Sequence, residues 1–292
     1  MIKLRKILKE LKPDIVHVRS RVPAWLVYLA NKKLNLKVVS TVHGFNSIGF
    51  YSSIMTKADQ VICVSNSIKD YIQANYKTNN NIITVIPRGI DTELFNENNT
   101  NDSFIKEFKE KFNIEKRYVI SIIGRVTQLK DYETFIKAIN EAKKTIPNIK
   151  ALIVGGVRDD KKEYYNSLKN LISNLELKNE VEFTGSQNNI AEIYSLSDVV
   201  VSSSKKPESF GRAVAEAIAL NTPVVATNHG GVKDIIIENK NGFFFEIGDE
   251  KELSKKIIKA KELKFDGLTY IKNSFSLDCM LDKTIEVYRR TI

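Results

Sequence analysis

The chain has 292 residues, 42% hydrophobic and 27% charged, a globular composition whose length suggests two domains of roughly 150 residues each. Its longest apolar run, "VPAWLVYLA" at 22–30, is too short to span a bilayer, and the opening "MIKLRKILKELKP" scatters its basic residues rather than placing an apolar block behind them, which excludes a membrane span and a secretory signal. The net charge of +10 is uneven, with 14 Lys/Arg against 6 Asp/Glu in residues 1–95 and 31 against 29 in the other 197.

Residues 1–12 open the chain as an amphipathic helix, with Ile2, Leu4, Ile7, Leu8 and Leu11 set against Lys3, Arg5, Lys6, Lys9 and Lys12. The basic first third suits an anionic membrane surface, a phosphorylated lipid or nucleic acid, and a lysine-favouring coding bias explains it equally well. Nucleic acid is set aside because no recognition motif or aromatic-basic interleaving is present. Four strands follow at "DIVHV" (14–18), "KVVSTV" (37–42), "QVICV" (60–64) and "IITVI" (82–86). The polar stretch "NENNTND" (96–102) reads as a linker leading to the helix "SFIKEFKEKF". A second strand set occupies 118–124, 150–156, 181–185, 198–203, 223–227 and 242–247, with helices between, such as "YETFIKAINEAKKTI" at 132–146. Most of these strands are continuous apolar runs, as strands covered on both faces require, and repeated β-then-α order means a parallel, doubly wound sheet. The expected division is therefore 1–95, 96–276 and a terminal helix, 277–292, that crosses back to the first domain. A cleft between two such units is the default ligand site.

Several chemistries are missing from the pattern. No G-x-G-x-x-G follows a strand and no G-x-x-x-x-G-K-[ST] loop exists. There is no D-x-D pair to clamp a metal diphosphate; Asp159 and Asp160 sit in a Lys-rich loop and read as solvated. Three histidines and two cysteines indicate no zinc cluster, and Cys63 and Cys279 read as buried thiols in a reducing cytoplasm.

The chemistry that is present begins at "PESFGRAVAE" (207–216). Glu208 has a bland explanation as a first-turn acid at a helix start. Glu216 does not: it falls mid-helix in "RAVAEAIAL" among small apolar residues, where a carboxylate needs a partner or its desolvation is costly. A sugar diol offers that carboxylate two donors. Gly211 lets a ligand approach the backbone, and the amides of 209–212 at the helix start suit a phosphate. "GRVTQLKD" (124–131) adds Gly124 for a tight strand exit and two cations, Arg125 and Lys130, placed to hold a diphosphate. Cations near a helix start are otherwise disfavoured, which tilts this loop toward function.

These motifs resemble the retaining glycosyltransferases of family 4, over nearly all of 13–292. "PESFGRAVAEAIALNTPVVATNHGG" resembles the family's E-x7-E block, and "GRVTQLKD" its Arg/Lys loop. "VIPRGIDTELF" (85–95) resembles the segment entering the second domain, with Arg88 where the family often has Asn. "PDIVHVRSRVPAWL" and "STVHGF" resemble first-domain strands of bacterial lipopolysaccharide and capsule transferases. The resemblance implies the GT-B fold, two doubly wound Rossmann-like α/β domains. It implies a nucleotide-sugar donor, no metal and no other cofactor, and a glycan or lipid-linked acceptor. Arg125 and Lys130 would neutralise the leaving nucleoside diphosphate, and Glu216 would hold the ribose. Glu208, with the backbone at Phe210 and Gly211, would hold the donor sugar. Thr184 and Gly185 would lie beside the base, and His43 would face the donor sugar, although it also reads as a residue that satisfies a strand end. Arg88 joins the substrate-binding set, while His17 and His229 read as structural. Family members usually carry a further strand, a glycine-rich loop and more strands ahead of "PDIVHV". Their absence makes the first domain incomplete and implies an exposed core and a complementing N-terminal fragment as partner. The expected function is a cytoplasmic enzyme, peripheral on the inner face of the membrane, that builds an envelope glycan. The alternative is an inactive or split-gene remnant that binds a nucleotide sugar without turnover.

Overall fold

The computed structural model describes residues 2–292, which divide into two compact units. Among these, the first comprises residues 2–89 and 277–292 together with the short piece Glu208–Phe210, and the second comprises Ile90–Pro207 and Gly211–Ser276.

The first unit runs α1 (Ile2–Leu11), β1 (Ile15–Val18), α2 (Arg21–Asn31), β2 (Lys37–Val42), α3 (Phe50–Ser53), β3 (Gln60–Cys63), α4 (Asn66–Tyr76) and β4 (Ile83–Val85). Its four strands are parallel and neighbour one another in chain order. One face buries Val27, Val42, Val61, Cys63 and Ile68. α1 packs against α2, not flat on the sheet: Leu8 is buried and Leu4 half-buried, while Ile2, Ile7 and Leu11 stay exposed. Arg5 donates to the carbonyls of Leu29 (2.8 Å) and Ala30 (3.0 Å), among the last carbonyls of α2, where the helix dipole favours a cation.

The second unit runs α5 (Asp102–Phe112), β5 (Tyr118–Ile123), α6 (Tyr132–Ala142), β6 (Ile149–Val154), α7 (Lys162–Asn174), β7 (Val181–Gly185), α8 (Ile190–Ser195), β8 (Val199–Ser202), α9 (Arg212–Ala219), β9 (Val224–Thr227), β10 (Gly242–Phe245), α10 (Glu250–Ala260) and α11 (Gly267–Phe275). The stretch expected to be a linker holds a short 3-10 turn, Glu97–Asn99, and Asn101 caps α5 by accepting from the Phe104 amide at 3.0 Å. All six strands are parallel, in the order β10-β9-β8-β5-β6-β7. The order reverses between β5 and β8, and that switch point opens a crevice at the carboxyl ends of the two strands. One face is closed by Tyr132, Phe135, Ile139, Phe243 and Phe245, all nearly inaccessible, and the other by Phe108, Val119, Leu152, Val154 and Ile193.

A last helix, α12 (Leu277–Thr291), belongs to the first unit. Its Val287 is buried with Val39, Ile62 and Ile86. Tyr288 stands 2.6 Å from His17 Nδ1, and His17 Nε2 lies 2.7 Å from Thr41 Oγ1. Both ring nitrogens of His17 are therefore engaged in tying β1 to β2 and α12, and burial lowers its pKa. No described helix is long and apolar enough to cross a membrane.

Candidate functional site

In the second unit the sequence-predicted residues gather at the carboxyl ends of the strands. β5 is followed by Gly124, whose φ of +153° favours glycine and over which the Lys130 side chain passes: a Cβ there would lie 3.1 Å from Lys130 Cε. Arg125 is exposed and Lys130 half-buried. This loop is tied to the segment after β8, because Ser203 Oγ donates to the Lys130 carbonyl at 2.7 Å and the Lys205 amide to the Leu129 carbonyl at 2.8 Å. Asp131 is 2% exposed, accepts from Thr134 Oγ1 at 2.8 Å and pairs with Lys205 Nζ at 3.1 Å. The sequence reading named neither Asp131 nor Lys205; the final Asp of "GRVTQLKD" was the available sign. Gly155 was also missed. A Cβ on it would collide with the Gly124 carbonyl, and its amide donates to the Gly185 carbonyl at 3.0 Å, so the ends of β5, β6 and β7 interlock.

Thr184 is half-buried and Gly185 exposed at the end of β7, and Gln187 Nε2 donates to the Thr184 carbonyl at 2.7 Å. Helix α9 starts at Arg212, capped by Gly211 with φ +99°, and has no acid in its first turn. Glu208 is therefore not a first-turn helix acid; it lies in the segment before the cap and is half-buried. Gly211 answers to packing as well as to conformation, since a Cβ would stand 2.6 Å from Val232 Cγ1. Phe210, 3% exposed, and Glu208 fall in the piece grouped with the first unit.

Glu216 lies mid-helix on α9 and is 8% exposed. Tyr194 donates its hydroxyl to Oε2 at 3.2 Å, and Arg212 Nε stands 3.9 Å from Oε1. Burial outweighs both partners and pushes the carboxyl up to about 7. Glu216 lines a cavity of ≈ 320 Å³ with Phe95, Asn188, Asn189, Ile190 and Glu192. Glu192 accepts from the Asn101 amide at 3.2 Å. The cavity is thus part apolar and part acidic, a surface suited to a ring with hydroxyl donors.

In the first unit His43 follows β2 and is half-buried. Arg19 Nε lies 3.2 Å from its Nε2 and Arg88 Nη2 lies 3.3 Å from its Nδ1. Burial first, then Arg88, Arg19 and His17, lower its pKa to about 4, so it is neutral near pH 7. His229, in the second unit, binds the Ser204 carbonyl at 2.8 Å and is structural. Cys63 is buried, and its thiol is pushed up to about 12 by desolvation, while Cys279 is only half-buried. Asp159 and Asp160 are exposed and paired with Lys162, Arg158 and Lys161.

With this geometry in place, residues 104–274 match the family described as Glycosyl transferases group 1, and residues 1–94 match Glycosyltransferase Family 4. The chain belongs to the group 1 glycosyl transferases, whose pattern covers more than half of it, and its two parallel α/β sheets have the GT-B fold. It is 33% identical to a glycosyltransferase from Rickettsia africae ESF-5, with a TM-score of 0.91 over 99% of this chain and 80% of that one. It is 30% identical to the N-acetyl-alpha-D-glucosaminyl L-malate synthase of Bacillus anthracis, over 81% of this chain and 62% of that protein's length. Anabaena Alr3699/HepE, solved in complex with UDP, shares the fold at 22% identity, with a TM-score of 0.87 over 99% of this chain and 81% of that one.

The raised pKa of Glu216 fixes a sign for stability. A carboxyl whose pKa rises from 4.5 to about 7 on folding favours the folded state below pH 4.5, and that contribution is lost as pH rises through about 7. Glu216→Gln should therefore stabilise the ligand-free protein at pH 8, by at most about 3 kcal/mol, and confer no such gain near pH 4.5. Thermal unfolding of both proteins across that range checks this; a gain independent of pH contradicts it.

Proposed function

We propose that this protein transfers a sugar from a nucleotide-sugar donor to an acceptor hydroxyl, with retention of anomeric configuration, in the synthesis of a bacterial cell-envelope glycan such as lipopolysaccharide. The observation that carries the reading is Glu216, a buried carboxylate with one hydroxyl partner, on a cavity in the second unit of the right chemistry for a nucleoside. Glu216 accepts hydrogen bonds from the ribose diol. Thr184 and Gly185 lie beside the base. Arg125 and Lys130, at the switch point, hold the diphosphate as charge builds on it, and preorganised cations of this kind supply most of the stabilisation of such a transition state. They do so in place of a divalent metal. Glu208, the Phe210 backbone and Gly211 hold the sugar, and Arg88 and His43 serve substrate from the first unit. The Anabaena complex supports a nucleotide ligand for this fold, with UDP as the first one to try.

Retention has two routes. Double displacement requires a carboxylate nucleophile at the anomeric carbon. Glu208 is the one acid the motifs offer, and we assign it to sugar hydroxyls. The reading is therefore front-face attack: the acceptor oxygen bonds the anomeric carbon as the bond to the diphosphate breaks, and the acceptor proton passes to the leaving phosphate.

The envelope assignment places the protein at a membrane. On α1, Lys3, Lys6 and Lys9 are exposed alongside Ile2, Ile7 and Leu11, a surface that suits anionic headgroups.

Calorimetry on the full chain with UDP and GDP tests the donor site. Binding of one of them is expected. Glu216→Gln should weaken it by roughly tenfold or more, the worth of a hydrogen bond to a charged group. Glu208→Gln should spare the free nucleotide and weaken only the nucleotide sugar. Lys130→Ala should cost more than Arg125→Ala, because Lys130 is the more buried of the two. A folded protein that gives heat with neither nucleotide defeats the reading. Vesicle sedimentation across a salt series tests the membrane: binding to anionic vesicles should fade as the Debye length falls below about 8 Å. Equal binding to neutral vesicles, or none to either, would contradict it.

A further inference from the structure

Helix α2 is apolar all round. Between its end residues, Arg21 and Asn31, it reads "VPAWLVYLA", with no charge on any face. A helix of that kind belongs in a core or a membrane. α2 nevertheless buries only Ala24, Val27 and Ala30, the first two in the core that covers the sheet. α1 covers its far end, where Arg5 bonds the carbonyls of Leu29 and Ala30. Val22, Leu26 and Tyr28 remain exposed and Trp25 half-buried, so the outer face of the helix presents carbon to solvent.

Aromatic rings extend that face beyond the helix. The Trp25 ring centre lies 5.8 Å from Tyr28, 5.2 Å from Phe50 and 6.4 Å from Tyr51, and its Nε1 donates to the Tyr51 carbonyl at 3.0 Å. This packing does not bury them: Phe50 is 74% exposed, and the neighbouring Ile48 67%. Cations edge the rings. Lys57 Nζ stands 5.5 Å from the centre of Phe50 and 5.9 Å from that of Tyr28, and Lys32 Nζ 5.8 Å from Tyr28. Beside Tyr28 opens a cavity of ≈ 560 Å³, with buried Ala24 and Ile54 among its walls and exposed Lys32, Lys33 and Lys57 at its rim. Lys32 and Lys33 also suit the C-terminal end of α2, but Lys57 stands outside that helix and reaches back to it. Among the described residues the one acid on the cavity wall, Asp59, is already engaged, 4.0 Å from Lys37 Nζ and accepting from the Val38 amide at 2.8 Å.

The charge pattern is one-sided as well. Residues 15–58, which build β1, α2, β2 and α3, hold six Lys and Arg and no Asp or Glu, and all 35 acids of the chain fall elsewhere. A lysine-favouring coding bias adds lysines; it does not remove acids. We propose that this face of the first unit docks on an anionic phospholipid bilayer, with Trp25, Phe50 and Tyr51 entering the headgroup region and Lys32, Lys33 and Lys57 holding a lipid phosphate at the mouth of the cavity. Aromatic rings and lysines with long apolar stems are the side chains that settle at such an interface, and a face without acids meets its negative potential without repulsion. A second copy of this chain fits less well, because it brings the same cations and no acid to meet them. The envelope reading supplies the membrane here; sugar transfer plays no part, and the face is distinct from the exposed surface of α1.

Trp25 is the only tryptophan in the chain, so the face carries its own reporter. The full-length protein is mixed with vesicles of phosphatidylglycerol or of phosphatidylcholine, with and without bromine on the acyl chains, at constant ionic strength. With phosphatidylglycerol the emission of Trp25 should shift to the blue and be quenched by the brominated chains; with phosphatidylcholine both effects should be much smaller. Phe50→Ser, at an exposed position that leaves the core intact, should weaken vesicle binding about tenfold. Lys57→Gln should weaken it about fivefold, and Lys178→Gln, an exposed cation of the second unit, should leave it unchanged. Vesicles that sediment the protein without quenching Trp25 place the contact on α1 and overturn the proposal. So do equal quenching by the two lipids, losses in Phe50→Ser and Lys57→Gln no larger than in Lys178→Gln, or a Trp25 emission that moves with protein concentration in the absence of lipid, which gives the face to a second copy. Nucleotide heat on the same samples reads the transferase separately: no heat with UDP or GDP while Trp25 is quenched defeats that reading and upholds this one.

Discussion

A carboxylate in an apolar helix is the constraint around which the second unit is built. Removing Glu216 from water costs several kcal/mol unless donors replace the lost solvent. The fold supplies one close donor, the Tyr194 hydroxyl, and one more distant cation, Arg212. That is incomplete compensation, and the carboxyl answers by moving up to about 7. Its neighbours in α9 are alanine, valine and isoleucine, all buried, so no other group of the helix can complete its shell. What adjoins it is a cavity. A ligand that brings hydroxyl donors turns an unfavourable burial into a binding interaction.

The parallel sheet decides where the loop cations fall. With β5 and β8 adjacent and the chain leaving them in opposite directions, the 124–131 loop and the segment after β8 flank one crevice. Ser203, through its hydroxyl, and Lys205, through its amide, fasten the two together, so the cation of Lys130 is carried on a loop that both strands hold. Gly155 allows the ends of β5 and β6 to approach more closely than a side chain would permit. Positioning of this kind costs little at the moment of reaction, because the groups are already in place.

Much of this was legible in the sequence because apolar continuity and β-then-α order are local signals. The strand at 37–42 and that at 181–185 lie where those runs predict, and the helix expected over 132–146 ends at Ala142 because its last residues turn toward β6. Glu216 stood out for the same reason, as a charge in a small apolar run. The reading of Glu208 as a first-turn acid failed because the glycine cap delays the helix to Arg212. What local pattern does not carry is convergence across the sheet. Nothing in "HVRSR" or "VIPRG" says that Arg19 and Arg88 meet on one imidazole, or that both nitrogens of His17 are occupied by Thr41 and a tyrosine 271 residues away. Those are properties of strand order, and they appear only once the sheet is assembled.

The most direct measurement follows the proton on Glu216. If nucleotide hydroxyls complete its shell, they favour the charged form, and binding must expel the proton that a carboxyl near about 7 partly retains. Calorimetry of UDP or GDP binding at pH 7, repeated in buffers of different ionisation enthalpy, reads that release. The account predicts release of about half a proton per nucleotide bound, absent in Glu216→Gln. Nucleotide binding with no proton released, or the same release in Glu216→Gln, would contradict it.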